Sequence, residues 1–472
     1  MTSSIRRATC LMICLGAMWT VTASAQWPQF RGPNGSGIDS ATGYPVAFSP
    51  ASNVAWKTTI PYGQSSPVLA GGQIYLTASE GDRLVTIALD AANGREKWRR
   101  EIRPPSRHKI YRANDPASPS PAADENGVVV FFPDFGLAAY TPDGKDLWTM
   151  KLGPFKSFYG MAASPVVANG LVLLVADQQA GSYVLAVDRG TGQQRWKQAR
   201  PQAVDGYATP MVFRPAASPA QLIVLGSMAV DSYALDTGDR RWWMPIGSGG
   251  AMGTVVSSGD TLFLATQGST EPWLPAFDAI LQKLDGDKDR RLSQKEFTTE
   301  KDYAEHFGFF DHNGDTFISV EEWDTMRSLG VGEFGAIAVR PGDARGKLDA
   351  KSVLWRFQKN LPYIPAPILY QNVFYLVKDG GIVTALDAGS GKPLKEGRST
   401  AALGEYHASP VAADNKIFLA SMEGKISVLK AGADWEVLGV NDLGEEVHAT
   451  PALSGGRIYV RTRSAVYCFA AK

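Results

Sequence analysis

Short apolar runs rich in β-branched and aromatic residues recur along the chain, each led by a glycine or polar turn. They are GGQIYL at 71–76, NGVVVF at 126–131, NGLVLL at 169–174, AQLIVL at 220–225, GDTLFL at 259–264, QNVFYL at 371–376, DNKIFL at 414–419 and GGRIYV at 455–460. Runs of this length and composition between turn residues predict strands. Shortly before each run stands a small residue followed by proline: Ser66-Pro67, Ser120-Pro121, Ser164-Pro165, Thr209-Pro210, Ala366-Pro367, Ser409-Pro410 and Thr450-Pro451, with Gly253-Thr254-Val255 as an eighth that lacks the proline.

After each run a third strand leads into a tight turn and a tryptophan, as in IALDAANGREKW at 87–98, AAYTPDGKDLW at 138–148, LAVDRGTGQQRW at 185–196 and YALDTGDRRW at 233–242. Asn-Gly, Asp-Gly and Thr-Gly supply the positive φ that such turns need. Trp98, Trp148, Trp196, Trp242, Trp355 and Trp435 close six copies, and Lys395 stands in the tryptophan place of another. Copy starts at 66, 120, 164, 209, 254, 366, 409 and 450 are 41 to 54 residues apart, except for one gap of 112. Four strands per repeat at this period predict a β-propeller. The last copy ends before a fourth strand, while NVAWKTTIP at 53–61 is a fourth strand without a copy, so the N-terminal strand is expected to close the ring. The fold class expected is all-β, an eight-bladed propeller with a small helical insertion in blade 5. Residues 26–52 form an N-terminal extension, 53–267 and 333–472 form the propeller, and 268–332 form the insertion.

The long gap holds LDGDKDRRLSQKEF at 284–297 and DHNGDTFISVEE at 311–322. An EF-hand loop ligates calcium through positions 1, 3, 5, 7, 9 and 12, using hard oxygens and a terminal glutamate. The first segment offers Asp285, Asp287, Asp289, the Arg291 carbonyl, Ser293 and Glu296. The second offers Asp311, Asn313, Asp315, the Phe317 carbonyl, Ser319 and Glu322. Phe277, Ile280, Leu281 and Leu284 mark one face of an incoming helix, as Tyr303, Phe307 and Phe310 do before the second loop and Trp323, Met326 and Leu329 after it. Leu292 and Ile318, each at position 8, are placed to pair the loops. Position 6, ordinarily glycine, is Arg290 in one loop and Thr316 in the other. The β-branched residue suffers more in a left-handed turn, and the second loop has one carboxylate fewer, so weaker binding is expected there.

Arg6 and Arg7 ahead of an apolar stretch, followed by Ala23-Ser24-Ala25, form a secretory signal pattern over 1–25 and place the protein in the periplasm or outside the cell. No later run is long and apolar enough to predict a transmembrane helix. Removal of that segment leaves Cys468 as the sole cysteine, so no intrachain disulfide is expected. It also leaves 45 basic residues of 47 against 47 acidic ones, a net charge of −2 that gives no reason to expect nucleic acid as partner. RREIRPPSRHKIYRAND at 99–115 is a basic loop, either simply solvated or facing an anionic partner.

The ALDAxTGxxxW style of repeat ending, the eight copies and the N-terminal WPQFRGPNGSG…NVAWK together resemble the pyrroloquinoline quinone (PQQ) repeat propellers. That superfamily includes quinoprotein alcohol dehydrogenases and a non-enzymatic propeller lipoprotein of outer-membrane assembly. Its dehydrogenases carry PQQ and calcium at the propeller axis, beside a pair of adjacent cysteines and a catalytic aspartate. This chain has no Cys-Cys pair, and no residue takes over the catalytic aspartate. The leading expectation is a binding or assembly scaffold for a protein, small-molecule or carbohydrate ligand, with calcium held by the inserted loops as the expected cofactor. The alternatives are a PQQ-dependent or other redox enzyme at the axis, and a hydrolase or sugar-binding propeller using tyrosines and histidines at the channel mouth. Tyr207, His407 and His448, two residues before their Thr-Pro or Ser-Pro pairs, are expected near the channel mouth, with Tyr363 and Tyr406 beside them.

Overall fold

The computed structural model describes residues 26–107, 114–157, 159–179, 181–249, 252–299 and 306–471. The export signal expected over 1–25, and Lys109, Arg112 and Tyr303, lie outside them. Eight sheets follow one another around an axis, seven of four antiparallel strands and the fourth with a fifth, parallel strand added, and each begins with a three-residue inner strand. Blade 1, for example, comprises Val68–Ala70, Gln73–Glu80, Arg83–Asp90 and Glu96–Ile102. Second strands such as Gly127–Phe132 and Leu171–Ala176 are buried along their whole length, because both sheet faces are covered by neighbouring blades. Fourth strands such as Gln194–Ala199 alternate instead, with one face on a neighbour and one in water.

The ring closes through its ends. Val54–Thr59 pairs antiparallel with Ala465–Ala470 and completes the last blade, with Trp56 opposite Cys468. Burial pushes the Cys468 thiol up to about 11, which leaves it an inert core group.

A bulge separates the third and fourth strands at Ala88/Leu89, Ala139/Tyr140, Ala186/Val187, Ala338/Val339 and equivalent places, and sets a tryptophan opposite a small residue. Trp56, Trp98, Trp148, Trp196 and Trp355 each reach into the next blade, donating Nε1–H to the carbonyls of Ala91, Pro142, Arg189, Leu235 and Ala388 at 2.8 to 3.2 Å. Their rings lie on Gly94, Gly144, Gly192, Gly238 and Gly391, where φ is +70° to +82° and a Cβ would fall 2.5 to 2.7 Å from the indole. The turn glycine thus answers two demands, a left-handed backbone and a flat docking place.

Trp242 departs from this rule: its Nε1–H goes to Gln221 Oε1 at 2.9 Å, and the extra strand Gly346–Lys347 runs parallel beside it. Trp435 corrects the sequence reading. It does not close its own copy, where Gly439 opposite Val428 takes the tryptophan place. It lies just before the strand Glu436–Asp442 and packs with Tyr375 and Ala385 of the preceding blade, against Gly397 and under Lys395. The tryptophan missing at 395 is thereby supplied from the neighbouring blade.

Within blade 5 the chain leaves after Thr261–Thr266 and returns at Gly335–Val339. Between them stand the helices Phe277–Leu284, Gln294–Phe297, Phe307–Phe310 and Val320–Ser328. Their core gathers Phe277, Ile280, Leu281, Phe307, Phe310, Trp323 and Met326, and reaches the propeller at Val204. Gln179 and Lys156 of the propeller tie it down by donating to the Gly308 and His312 carbonyls, both at 3.0 Å.

Candidate functional site

Two loops in the insertion gather carboxylates. They are joined by a short antiparallel ladder, Leu292 opposite Ile318 and Ser293 opposite Phe317. In the first loop Asp285, Asp287 and Asp289 bring oxygens within 4.8 Å of one another. Asp285 Oδ2 accepts from the Arg290 amide at 3.0 Å, while Asp285 Oδ1 is buried with no hydrogen-bond partner. Asp287 and Asp289 each turn one oxygen to an amide two residues on, at 3.1 and 2.8 Å.

Glu296 folds back onto the loop, where its carboxylate accepts from the Gly286 amide and from the Ser293 amide and hydroxyl at 2.7 to 2.9 Å. Those bonds, with the Ser293 hydroxyl foremost, hold its carboxyl below the usual range. Ser293 also caps the following helix by accepting from the Glu296 amide. Arg291 lies over the Phe317 ring at 4.0 Å and also donates from its guanidinium to Asp289 Oδ2 at 3.1 Å.

The second loop repeats this plan with different saturation. Asp311 Oδ1 and Oδ2 accept from the Gly314 and Thr316 amides at 2.6 and 3.1 Å. Asn313 Oδ1 accepts from Asp315, Asp315 Oδ1 from Phe317, and Glu322 from the His312, Asn313 and Ser319 amides. Arg290 at φ +65° and Thr316 at φ +72° show that position 6 is left-handed in both loops.

The second assembly is at the propeller axis. Ser66, Ser120, Ser164, Thr209, Ser409 and Thr450 form a belt in which each hydroxyl accepts an amide from the adjacent blade. The bonds run Thr450 to Ser66, Ser66 to Ser120, Ser120 to Ser164, Ser164 to Thr209, Ser409 to Thr450 and Ala366 to Ser409, all at 2.9 to 3.0 Å. Below the belt the N-terminal segment crosses the channel. Trp27 exchanges bonds with Leu69, Pro28 accepts from Ala123, the Asn34 amide pairs with Val212, and Gly37 and Asp39 pair with Ala412. Leu69, Ala123, Val212 and Ala412 each lie three residues beyond a belt position, so one segment floors the ring at a single level. Arg31, fully buried, donates to the Pro367 carbonyl at 2.8 Å and keeps Nε and Nη1 without acceptors. Burial brings its guanidinium down to about 9.

Above the belt is an open cup of about 460 Å³. Tyr207, Tyr363, His407 and His448 all line it, together with Phe30, Tyr159, Asp379 and Glu405. The His407 and His448 rings are 5.6 Å apart, and burial lowers both pKa values, so both imidazoles are neutral at pH 7. Tyr406 is the exception among the residues expected at the mouth. It is buried, donates its hydroxyl to the Ala402 carbonyl at 2.7 Å and packs into a blade seam, because its side chain points opposite to that of His407. Asp379, Glu405, Tyr159 and Phe30 escaped the sequence reading, since they come from connections and the N-terminal floor rather than from repeat positions.

Behind the wall, Asp205 is buried with neither oxygen in a well-formed hydrogen bond. Desolvation pushes its carboxyl up to about 7 against the opposing pull of Ser157 and Gln179. Among the described residues of the basic loop, Arg99 pairs with Glu80 and Glu96, Arg103 with Asp82, and Arg107 approaches Asp134.

The family described as "Outer membrane protein assembly factor BamB" matches residues 40–228 and 181–472. The chain belongs to this PQQ-repeat family. The BamB of Burkholderia pseudomallei (strain K96243) is 24% identical over 366 residues, covering 71% of this chain and 88% of that protein. The quinoprotein alcohol dehydrogenase PedH of Pseudomonas putida is 28% identical over 148 residues, which span 30% of this chain and only 24% of PedH.

Among solved structures, BamB from Moraxella catarrhalis superposes with a TM-score of 0.54 at 11% identity, covering 88% of this chain and 98% of that one. A europium-containing methanol dehydrogenase gives 0.55 at 13% identity, covering 95% and 98%. These two likenesses speak to fold alone. The residues present do not fit a quinone held on a cysteine pair. Among the described residues the one cysteine, Cys468, is sealed beneath Trp56 in the last blade and does not line the cup. Among the described residues no helix is long and apolar enough to cross a membrane.

Proposed function

We propose that the protein is an exported, calcium-binding β-propeller that acts as a scaffold for protein partners in the periplasm or outside the cell. Family membership and the N-terminal signal pattern support the scaffold and its location. The calcium part rests on one observation. Asp285 Oδ1 is a buried carboxylate oxygen with no donor, and it belongs to a group of three converging aspartates. Such an oxygen is costly unless something positive satisfies it. A hard cation does so, with Asp285, Asp287, Asp289, the Arg291 carbonyl, Ser293 and Glu296 as its ligands. Asp311, Asn313, Asp315, the Phe317 carbonyl, Ser319 and Glu322 form the second set.

For Glu296 and Glu322 to ligate, each must release the loop amides it now holds, so binding exchanges internal hydrogen bonds for metal bonds. Both Asp311 oxygens are already occupied by amides, which favours the first loop. Because the loops sit in a unit packed on the propeller, calcium here fixes structure. An affinity of about 10⁻⁴ to 10⁻³ M suits an extracellular module. Exposed Leu394, Val437 and Leu438 on outer strands are candidate partner contacts.

Two measurements test the reading. Calorimetric titration of the full chain with calcium should show uptake, and its absence up to about 10⁻² M, well above that range, would remove the calcium reading. A photo-crosslinker placed at Leu394 or Val437 in cells should give discrete protein adducts. Failure at both sites would count against the scaffold.

A further inference from the structure

We infer that the axial cup is a binding site for a neutral saccharide. Each of the belt's six hydroxyls accepts an amide N–H, and each then has its own proton left to donate. Among the described residues no protein acceptor meets any of those protons, and all six residues line the cup. The deep wall is therefore a ring of donors facing a cavity of about 460 Å³, wide enough for one or two sugar rings.

The rim has the opposite character. Asp379 gives one oxygen to the Tyr406 amide at 2.8 Å and keeps the other, and Glu405 is exposed on the same rim. Carboxylates offer two oxygens each to neighbouring hydroxyls of a ligand. Neutral His407 adds one donor and one acceptor, whereas His448 has its Nδ1 buried and its Nε2 3.7 Å from Glu446. Tyr159, Tyr207 and half-exposed Tyr363, with Phe30 in the floor, add apolar faces to the same cup.

This combination selects the class of ligand. An anion would satisfy the belt but meet Asp379 and Glu405, and among the described residues no lysine or arginine lines the cup. Arg31, the nearby cation, is sealed in the floor, outside the lining. A cationic amine would suit the rim and the aromatic faces but leave the belt protons unmet. A neutral polyol presents acceptors downward and donors upward on one molecule, and its C–H faces pack on the tyrosines. The proposal is of binding alone: among the described residues no lining serine or threonine hydroxyl is hydrogen-bonded to a histidine or carboxylate that could act as its base.

The proposal stands apart from the calcium loops and does not depend on them. The full chain, without added calcium, is screened by saturation-transfer NMR against neutral mono- to trisaccharides, with citrate as the anionic probe and spermidine as the cationic one. Signal is expected from saccharides alone, with dissociation constants of about 10⁻³ to 10⁻⁴ M. Asp379→Asn and Tyr363→Ala, both at the exposed rim and compatible with folding, should each weaken binding about tenfold, while Glu80→Gln on a distant blade edge should not. No saccharide signal, a signal from citrate or spermidine in its place, or saccharide binding unchanged in both rim variants would overturn the assignment.

Discussion

The ring of Trp56, on the strand that closes the propeller, occupies the space above Gly94 that a methyl group would need, with an added Cβ falling 2.5 Å from its Cε3. Thr58 reaches the same turn, its hydroxyl donating to the Gly94 carbonyl at 2.7 Å. The N-terminal strand is therefore latched to blade 1 as well as hydrogen-bonded to the last blade. Closure of the ring depends on the absence of one side chain.

Gly94→Ala is accordingly expected to destabilise far more than Gly43→Ala. Both glycines have positive φ, +75° and +84°, and share a left-handed penalty of about 1 kcal/mol. A Cβ at Gly43 meets nothing within 4 Å. At Gly94 overpacking adds about 1 to 3 kcal/mol. Urea unfolding of the two variants measures the difference, and equal losses would refute the latch.

Asp205 predicts how stability varies with pH. Its carboxyl titrates at about 7 in the folded protein against 3.8 when free, because burial penalises the charged form. Below pH 4 it is protonated in both states and costs nothing. Between pH 4 and 7 the unfolded chain releases the proton first, so stability falls by about 1.4 kcal/mol per pH unit from this group. Asp205→Asn should flatten that slope, as read from unfolding free energies at pH 4.5 and 7. An unchanged slope would show that the carboxylate is solvated in the native state.

The left-handed residues of the two loops separate in a similar way. Thr316 at φ +72° is β-branched, and Arg290 at φ +65° is not. Thr316→Gly should stabilise the insertion by up to about 1 kcal/mol, after the entropy that glycine loses on folding, and Arg290→Gly by less. Thermal unfolding in the presence of calcium reports both, and a larger gain at Arg290 would contradict the strain ranking.

Much of this architecture is legible in the sequence for local reasons. The turn glycines, the following tryptophans and the inner Ser-Pro or Thr-Pro pairs recur at a period set by one blade, and each is needed for contacts within that blade or with the next. The two acidic loops are legible as turns because their carboxylates and polar residues fall within twelve consecutive positions. Trp435 misled because a tryptophan near the right distance does not reveal which blade it serves: Gly439 takes the strand position, and Trp435 compensates for Lys395 next door. The cup was half legible. Tyr207, His407 and His448 share a repeat position, but Asp379, Glu405 and Tyr159 meet them only because the ring brings unrelated connections to one mouth. The segment Trp27 to Asp39 carried a family motif but no sign of its place under the ring, since most of its bonds to the inner strands are made by backbone groups, with Asn34 and Arg31 adding side-chain bonds.

The most direct test of the calcium reading is a calorimetric titration of three full-length proteins: the wild type, Asp285→Ala and Asp311→Ala. The wild type should bind calcium at two sites of unequal strength. Asp311→Ala should keep the tighter one, and Asp285→Ala, deprived of the buried oxygen that awaits a cation, should keep only the weaker. Tighter binding by Asp285→Ala than by Asp311→Ala, or no calcium heat from the wild type, would contradict the account.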